Sequence, residues 1–220
     1  VQHDQKIGLI GPNGAGKSSL FKLITGEFTP EPGGSVIRAR GVSVGYLAQE
    51  PSLDPVRTAY AAALAGNPHY HRVRQDLQEV ESSLADPAVY VNEKRLNRAL
   101  ERQQALLTDY LALGGDQYPQ KVRAVLAGLG MPENEQNKPI GVLSGGQKKL
   151  VGLAQLLLTR PDVLLLDEPD NHLDLAGKEF LERFIQEYNG AVVIISHDRY
   201  LIDAVVTHIS EIEDGTLTTF

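Results

Sequence analysis

Gly11-Pro12-Asn13-Gly14-Ala15-Gly16-Lys17-Ser18 matches G-x-x-x-x-G-K-[ST] at every fixed position. An apolar stretch, Lys6 to Ile10, leads into it, and Leu20, Leu23 and Ile24 follow at helical spacing. A strand, glycine-rich loop and helix in that order turn backbone N–H groups inward around phosphate oxygens, with the positive end of the helix dipole behind them. Lys17 is then expected to reach the β- and γ-phosphates of a nucleotide, and the Ser18 hydroxyl to bind Mg²⁺. Val163-Leu164-Leu165-Leu166-Asp167-Glu168 is an apolar strand ending in two carboxylates. At the carboxyl end of a buried strand Asp167 suits Mg²⁺ held through water, and Glu168 suits a general base that polarises an attacking water. Taken alone, the same two acids suit a strand end meeting solvent. A further strand, Ala191 to Ser196, ends in His197. That histidine lands beside Asp167 if the two strands are neighbours, and can then hydrogen-bond a γ-phosphate; alone it reads as a surface residue. Together the three segments read as a nucleotide site. His69 and His71 lack a carboxylate or third histidine at ligand spacing, so no metal site is expected there.

The elements that must position these groups alternate in type. Strands are predicted at Val36 to Arg40 and Val42 to Leu47 around Gly41, after a loop containing Pro30, Pro32, Gly33 and Gly34. From Pro55 to Met131 the period is helical. Val73, Leu77, Val80 and Leu84 form one stripe, and Leu96, Leu100, Gln103, Leu107 and Tyr110 form another beyond a break at Asp86-Pro87. Two such helices predict an antiparallel hairpin whose longer arm, about 20 residues, reaches about 30 Å. Another helix carries Val122, Val125, Leu126 and Leu129 and stops at Gly130. Beyond Gly146 come a helix, the strand ending at Asp167, a helix from about Gly177 to Tyr188, the strand ending at Ser196, and a short helix near Tyr200 to Val206. A hairpin around Asp214-Gly215 closes the chain. Continuous apolar strands alternating with helices predict an α/β fold with a mainly parallel sheet covered on both faces.

The 220 residues are 42% hydrophobic and 22% charged, enough to bury a core, which excludes wholesale disorder. A net charge of −7 argues against coating DNA by bulk positive charge, while leaving room for a local basic patch. With no cysteine, disulfide scaffolds, thiol nucleophiles and cysteine zinc sites are excluded. No apolar run approaches the roughly 18 residues that a membrane span needs, so no membrane insertion is expected. The chain opens Val1-Gln2-His3-Asp4, without an initiator methionine or signal peptide. It reads as a cytoplasmic domain of something longer.

Leu143-Ser144-Gly145-Gly146-Gln147 resembles the LSGGQ signature of ATP-binding-cassette (ABC) ATPases. Gln49 resembles the family's Q-loop, Asn171-His172-Leu173-Asp174 its D-loop and His197 its switch histidine, and the motifs arrive in the family's order. Asp167-Glu168-Pro169-Asp170-Asn171-His172-Leu173-Asp174 and Ser196-His197-Asp198-Arg199-Tyr200 are similar to the ABC-F subfamily, and the helical stretch resembles the arm of its first cassette. The resemblance implies a P-loop NTPase core over 1–52 and 132–220, with 53–131 as an inserted helical subdomain. It implies ATP contacts at Gly11, Pro12, Asn13, Gly14, Ala15, Gly16, Lys17, Ser18 and Ser19, and across a paired cassette at Ser144, Gly145, Gly146, Gln147 and Asp174. Mg²⁺ is expected at Ser18, Gln49 and Asp167, with Glu168, His197 and Gln49 in catalysis.

Two such cassettes pair head to tail in the family, so one copy carries two half-sites, and the expected partner is a second cassette, tandem or homodimeric. The ABC-F resemblance further implies action on the ribosome or tRNA. The alternative is the ATPase subunit of an ABC membrane transporter, against which stand Asn171-His172 and the long hairpin. Asp170 replaces the subfamily's usual Thr, and Leu150 stands where an Arg commonly follows the signature. The family's first strands and its adenine-stacking aromatic are expected before Val1, and no aromatic precedes Phe21. Lys94, Arg95, Arg98 and Arg102 cluster on the second arm. They read either as a solvated face balanced by Glu93 and Glu101, or as a surface for RNA phosphates.

Overall fold

The computed structural model describes residues 1–47 and 51–220; the Gln49 assignment lies outside them. The strands are β1 (Lys6–Ile10), β2 (Val44–Tyr46), β3 (Val163–Asp167), β4 (Ala191–Ile195), β5 (His208–Glu213) and β6 (Thr216–Thr219). They form one sheet in the order β2-β3-β4-β1-β5-β6. Every pairing is parallel except β5 with β6, which fold back through Asp214-Gly215. Both turn residues have positive φ, 47° and 75°, as a tight hairpin turn requires. Alternate residues of the central strands serve opposite faces. Leu164, Leu166, Val192 and Ile194 join one core, while Leu165, Val193, Ile195 and Leu9 join another with Phe21.

The Phe21 face is covered by α1 (Lys17–Thr25), and Phe21 meets Tyr46 edge to face at 5.9 Å. The other helices are, in chain order, α2 (Ala59–Ala65), α3 (Pro68–Leu84), α4 (Pro87–Tyr90), α5 (Glu93–Ala112), α6 (Tyr118–Gly128), α7 (Glu133–Gln136), α8 (Gly145–Thr159), α9 (Leu175–Gln186) and α10 (Arg199–Val205). Of these, α8, α9 and α10 bury side chains in the core on the opposite face. Helix α8 lies in the interior between the sheet and the helices before it, and buries Leu150, Val151, Leu153, Ala154, Leu157 and Leu158. Leu150 faces this core, which explains an apolar residue where the family commonly has Arg. Helix α9 begins two residues before the expected Gly177 because Asp174 caps it, accepting from the Gly177 N–H at 2.8 Å.

The expected hairpin is formed by α3 and α5, with the additional turn α4 between them. Asn67, Asp86 and Asn92 cap the three helices, each accepting a backbone N–H. Two expectations need correction. The inward face of α5 is not Leu100 and Leu107, each 44% exposed; Leu106 packs on the core and Tyr110 is buried. Leucines at 100, 107 and 111 offer α5 a second apolar face, and Tyr110 decides between the two. Its ring stacks on Tyr70 at 5.7 Å and its hydroxyl donates to Asp116 at 2.7 Å. Nor is Val36 to Arg40 a strand. Ile37 is 93% exposed, and the segment pairs with no strand among the described residues, so β propensity has no ladder to join. Only Val44–Tyr46 of the second predicted strand pairs, with β3. Among the described residues no helix is long and apolar enough to cross a membrane.

Candidate nucleotide site

The loop between β1 and α1 owes its path to glycine. Gly11 has φ 148°, and a Cβ there would come within 2.4 Å of the Ile212 carbonyl oxygen. Gly16, at φ 96°, delivers the chain into α1, whose first turn has no acidic residue competing for its N–H groups. A helix start of this kind is complementary to phosphate. The Lys17 ammonium donates to the carbonyls of Gly11 at 2.8 Å and Pro12 at 3.0 Å, which holds it over the loop.

Parallel pairing of β3 with β4 sets Asp167 opposite Ile195, so the residues that follow each strand emerge side by side. A cleft of about 420 Å³ results, lined by Lys17, Ser18, Asp167, Glu168 and His197 among others. Asp167 is 5% exposed, and its Oδ2 has no hydrogen-bond partner among the described residues. An unpaired oxygen on a buried carboxylate is costly unless something cationic meets it. With the Ser18 hydroxyl in the same cleft, the oxygen donors suit Mg²⁺. The Tyr46 hydroxyl is pushed up in pKa by burial, then by the charges of Asp167 and Glu27.

Glu168 adopts φ 48°, a left-handed backbone that costs a non-glycine residue about 1–2 kcal/mol. Several contacts hold it there. Its N–H donates to the Ile195 carbonyl at 2.8 Å, and its own carbonyl accepts from the Lys149 ammonium at 3.0 Å. Its Oε2 accepts from the Asn171 amide at 2.5 Å, and Oε1 lies 3.6 Å from His197 Nε2. The arrangement can present a carboxylate to a water at the mouth of the phosphate loop. Behind it, Asp198 pairs with Lys178 at 2.7 Å; the lysine holds the carboxyl below its ordinary range, and the carboxylate raises the lysine in return.

The signature residues stand elsewhere. Ser144 caps α8, accepting from the Gln147 N–H at 3.2 Å, while Gln147 Oε1 accepts from the Ser144 N–H at 3.0 Å. The Gln147 amide also donates to Glu135 at 2.6 Å. Gly145 and Gly146 line a second cleft of about 730 Å³ with Pro51, Leu53, Lys149 and His172. Asp174 is exposed at the start of α9. The fold therefore gathers Asn13, Gly14, Gly16, Lys17, Ser18, Ser19, Asp167, Glu168 and His197 in one place and leaves Ser144, Gly145, Gly146, Gln147 and Asp174 outside it. Sequence reasoning missed Lys149, whose reach depends on how α8 packs. It also missed the bond from Asn171 to Glu168, for which the spacing of three residues was a local signal.

Residues 1–171 match the family model described as ABC transporter. The chain is 37% identical over 217 residues to the energy-dependent translational throttle protein EttA of Haemophilus influenzae, covering 96% of this chain and 36% of that protein. It is 32% identical over 221 residues to ABC transporter F family member 5 of Arabidopsis thaliana, covering 100% of this chain and 32% of that protein. It thus spans about a third of the length of these relatives. Among solved structures, the ATP-binding subunit of an ABC transporter superposes with a TM-score of 0.65 at 18% identity, over 100% of this chain and 80% of that one. The mainly parallel sheet, the flanking helices and these similarities agree, and the chain belongs to the ABC family, with its similarity running to the ABC-F members.

Proposed function

We propose that the chain is an ATP-binding and ATP-hydrolysing cassette, the first of a soluble, cytoplasmic ABC-F protein that acts on the ribosome. The observation that carries the ATPase reading is the single cleft shared by Lys17, Ser18, Asp167, Glu168 and His197. Gly11 to Ser19 cradle the phosphates, with Lys17 neutralising the β- and γ-oxygens. Ser18 and Asp167, with Gln49 as the sequence resemblance implies, would hold Mg²⁺, which would supply charge neutralisation for the phosphates. Glu168 accepts a proton from the attacking water as the water oxygen bonds to the γ-phosphorus and the bond to the ADP oxygen breaks. His197 steadies the γ-phosphate oxygens. Since Ser144 to Gln147 and Asp174 stand apart from this cleft, each complete site takes them from a second cassette, tandem in one chain or in a second copy.

Residues 1–52 and 132–220 form the ATPase core in this reading, and 53–131 an inserted arm. The ribosomal part is supported by the similarity to EttA, a translational throttle protein by name. On α5 the exposed Arg98 supports it, while Arg95 reaches the Ala88 carbonyl at 3.4 Å and Arg102 pairs with Asp76 at 3.6 Å within the chain. Co-sedimentation of the full-length protein with ribosomes tests this, using Glu168→Gln with and without ATP. ATP-dependent association supports the proposal. No association in either condition, with fractionation to membranes instead, supports a transporter subunit.

A further inference from the structure

We infer that Asp170 and Ser196 form a bracket that sets His197 against Glu168, which makes both positioning residues for the hydrolysis proposed above, on which this inference rests. Asp170 is 7% exposed, and a carboxylate at that depth requires hydrogen bonding. Its Oδ1 accepts from the Ser196 hydroxyl at 2.7 Å. The same hydroxyl accepts from the Asp198 N–H at 2.9 Å, so its proton is directed at Asp170. Ser196 immediately precedes His197. Asp170 follows Glu168 by two residues, in a turn where the Leu173 N–H donates to the Asp170 carbonyl at 3.2 Å. One buried bond thus ties the segment carrying the base to the segment carrying the histidine.

The two groups it aligns have little packing of their own. The side chain of His197 is 64% exposed and that of Glu168 39%, yet their nearest atoms stand 3.6 Å apart. Exposed side chains keep such a relation only when the backbone beneath them is held. On the far side, Lys178 on α9 grips Asp198 at 2.7 Å, so the loop carrying His197 is anchored at both its first and last residues. Asp170 also stands where the subfamily commonly has Thr. A threonine hydroxyl can meet Ser196, whereas an alanine cannot.

The test is steady-state hydrolysis and equilibrium nucleotide binding in the full-length protein. Asp170→Ala and Ser196→Ala are each expected to lower kcat about tenfold, with KM and nucleotide affinity within about twofold, because neither residue touches the phosphate loop. Asp170→Asn, which keeps the acceptor oxygen, and Asp170→Thr are expected to recover most of that loss. The double variant should be no worse than either single one, since both remove the same bond. Unchanged kcat in Ser196→Ala, additive losses, or an equal loss in Asp170→Asn would overturn the bracket; Ser196→Ala decides the matter if Asp170→Ala does not fold. Glu168→Gln run alongside separates the two levels. If it hydrolyses ATP like the wild type, the assignment of Glu168 as the base falls and the bracket with it; if it is inactive while Ser196→Ala is not impaired, only the bracket falls.

Discussion

Replacing Glu168 by Gln is expected to stop turnover while leaving the fold and nucleotide binding intact, and the surroundings of Glu168 say why. A glutamine can turn its carbonyl oxygen toward the Asn171 amide, which now donates to Oε2, and its NH₂ toward His197, now 3.6 Å from Oε1. The left-handed backbone at 168 is equally strained for either residue, so that cost cancels. What disappears is the basic oxygen. A positioned general base contributes about 10²–10⁴-fold in rate, or about 3–5 kcal/mol of barrier. Phosphate release at saturating ATP should fall by that factor, while the ATP affinity stays within about threefold and the melting temperature within about 2 °C. With hydrolysis blocked, size-exclusion chromatography with ATP should show paired cassettes accumulating. Turnover within twofold of wild type would refute the role of Glu168, and a lowered melting temperature would refute the claim that glutamine satisfies the same contacts.

Lys17→Ala should weaken ATP binding itself by about tenfold or more, since it removes the charge over the phosphate loop; titration with a fluorescent ATP analogue separates this from the Glu168 phenotype. Gly11→Ala places a Cβ 2.4 Å from the Ile212 carbonyl oxygen and should cost about 2–3 kcal/mol in urea unfolding; an unchanged midpoint would contradict the packing described. Burial raises the pKa of Tyr46, Tyr118 and Tyr188, the last to about 12, and that of Tyr110 with help from Asp116. The fold favours the neutral phenols, so their contribution is intact below their ordinary pKa of 10.0 and is lost as pH rises above it, for Tyr188 through about 12. Thermal melts should therefore drop across that window, and a single phenolate titration near the ordinary value for all eight tyrosines would contradict it. The triple change of Arg95, Arg98 and Arg102 to Ala should weaken ribosome binding and reduce its salt slope by about 2, with ATPase activity retained; an unchanged slope returns this face to solvent.

The candidate nucleotide site was legible in the sequence because its parts are local. The phosphate loop, the Asp167-Glu168 strand end and His197 each sit within a few residues of the element that positions them, and strand adjacency then brings them together. Val36 to Arg40 misled because β-prone residues make a strand only where a neighbour supplies the ladder, and none does. On α5 five leucines serve two faces, and the choice between them belongs to Tyr110, whose partners Tyr70 and Asp116 lie on other elements. Lys149 was invisible for a similar reason, since its bond to the Glu168 carbonyl joins residues on two separate elements. Asp170 showed only as a departure from a family pattern, and its meaning waited on Ser196, just past the end of the neighbouring strand.

At the foot of the hairpin, Tyr70 stacks between Tyr118 at 4.2 Å and Tyr110 at 5.7 Å, and its hydroxyl reaches the Gly115 carbonyl. Three rings clamped face to face resist shear, and they come from α3, α5 and α6, the last of which rests on α8. The hairpin is therefore mounted as a rigid lever with its fulcrum in the helical layer. A 20-residue helix such as α5 is about 30 Å long, so a tilt of about 5° at the foot carries the tip about 3 Å. Small rotations of α8, the helix that begins at the signature and whose Lys149 holds Glu168, are thereby magnified into displacements large enough to break or make a contact at the far end.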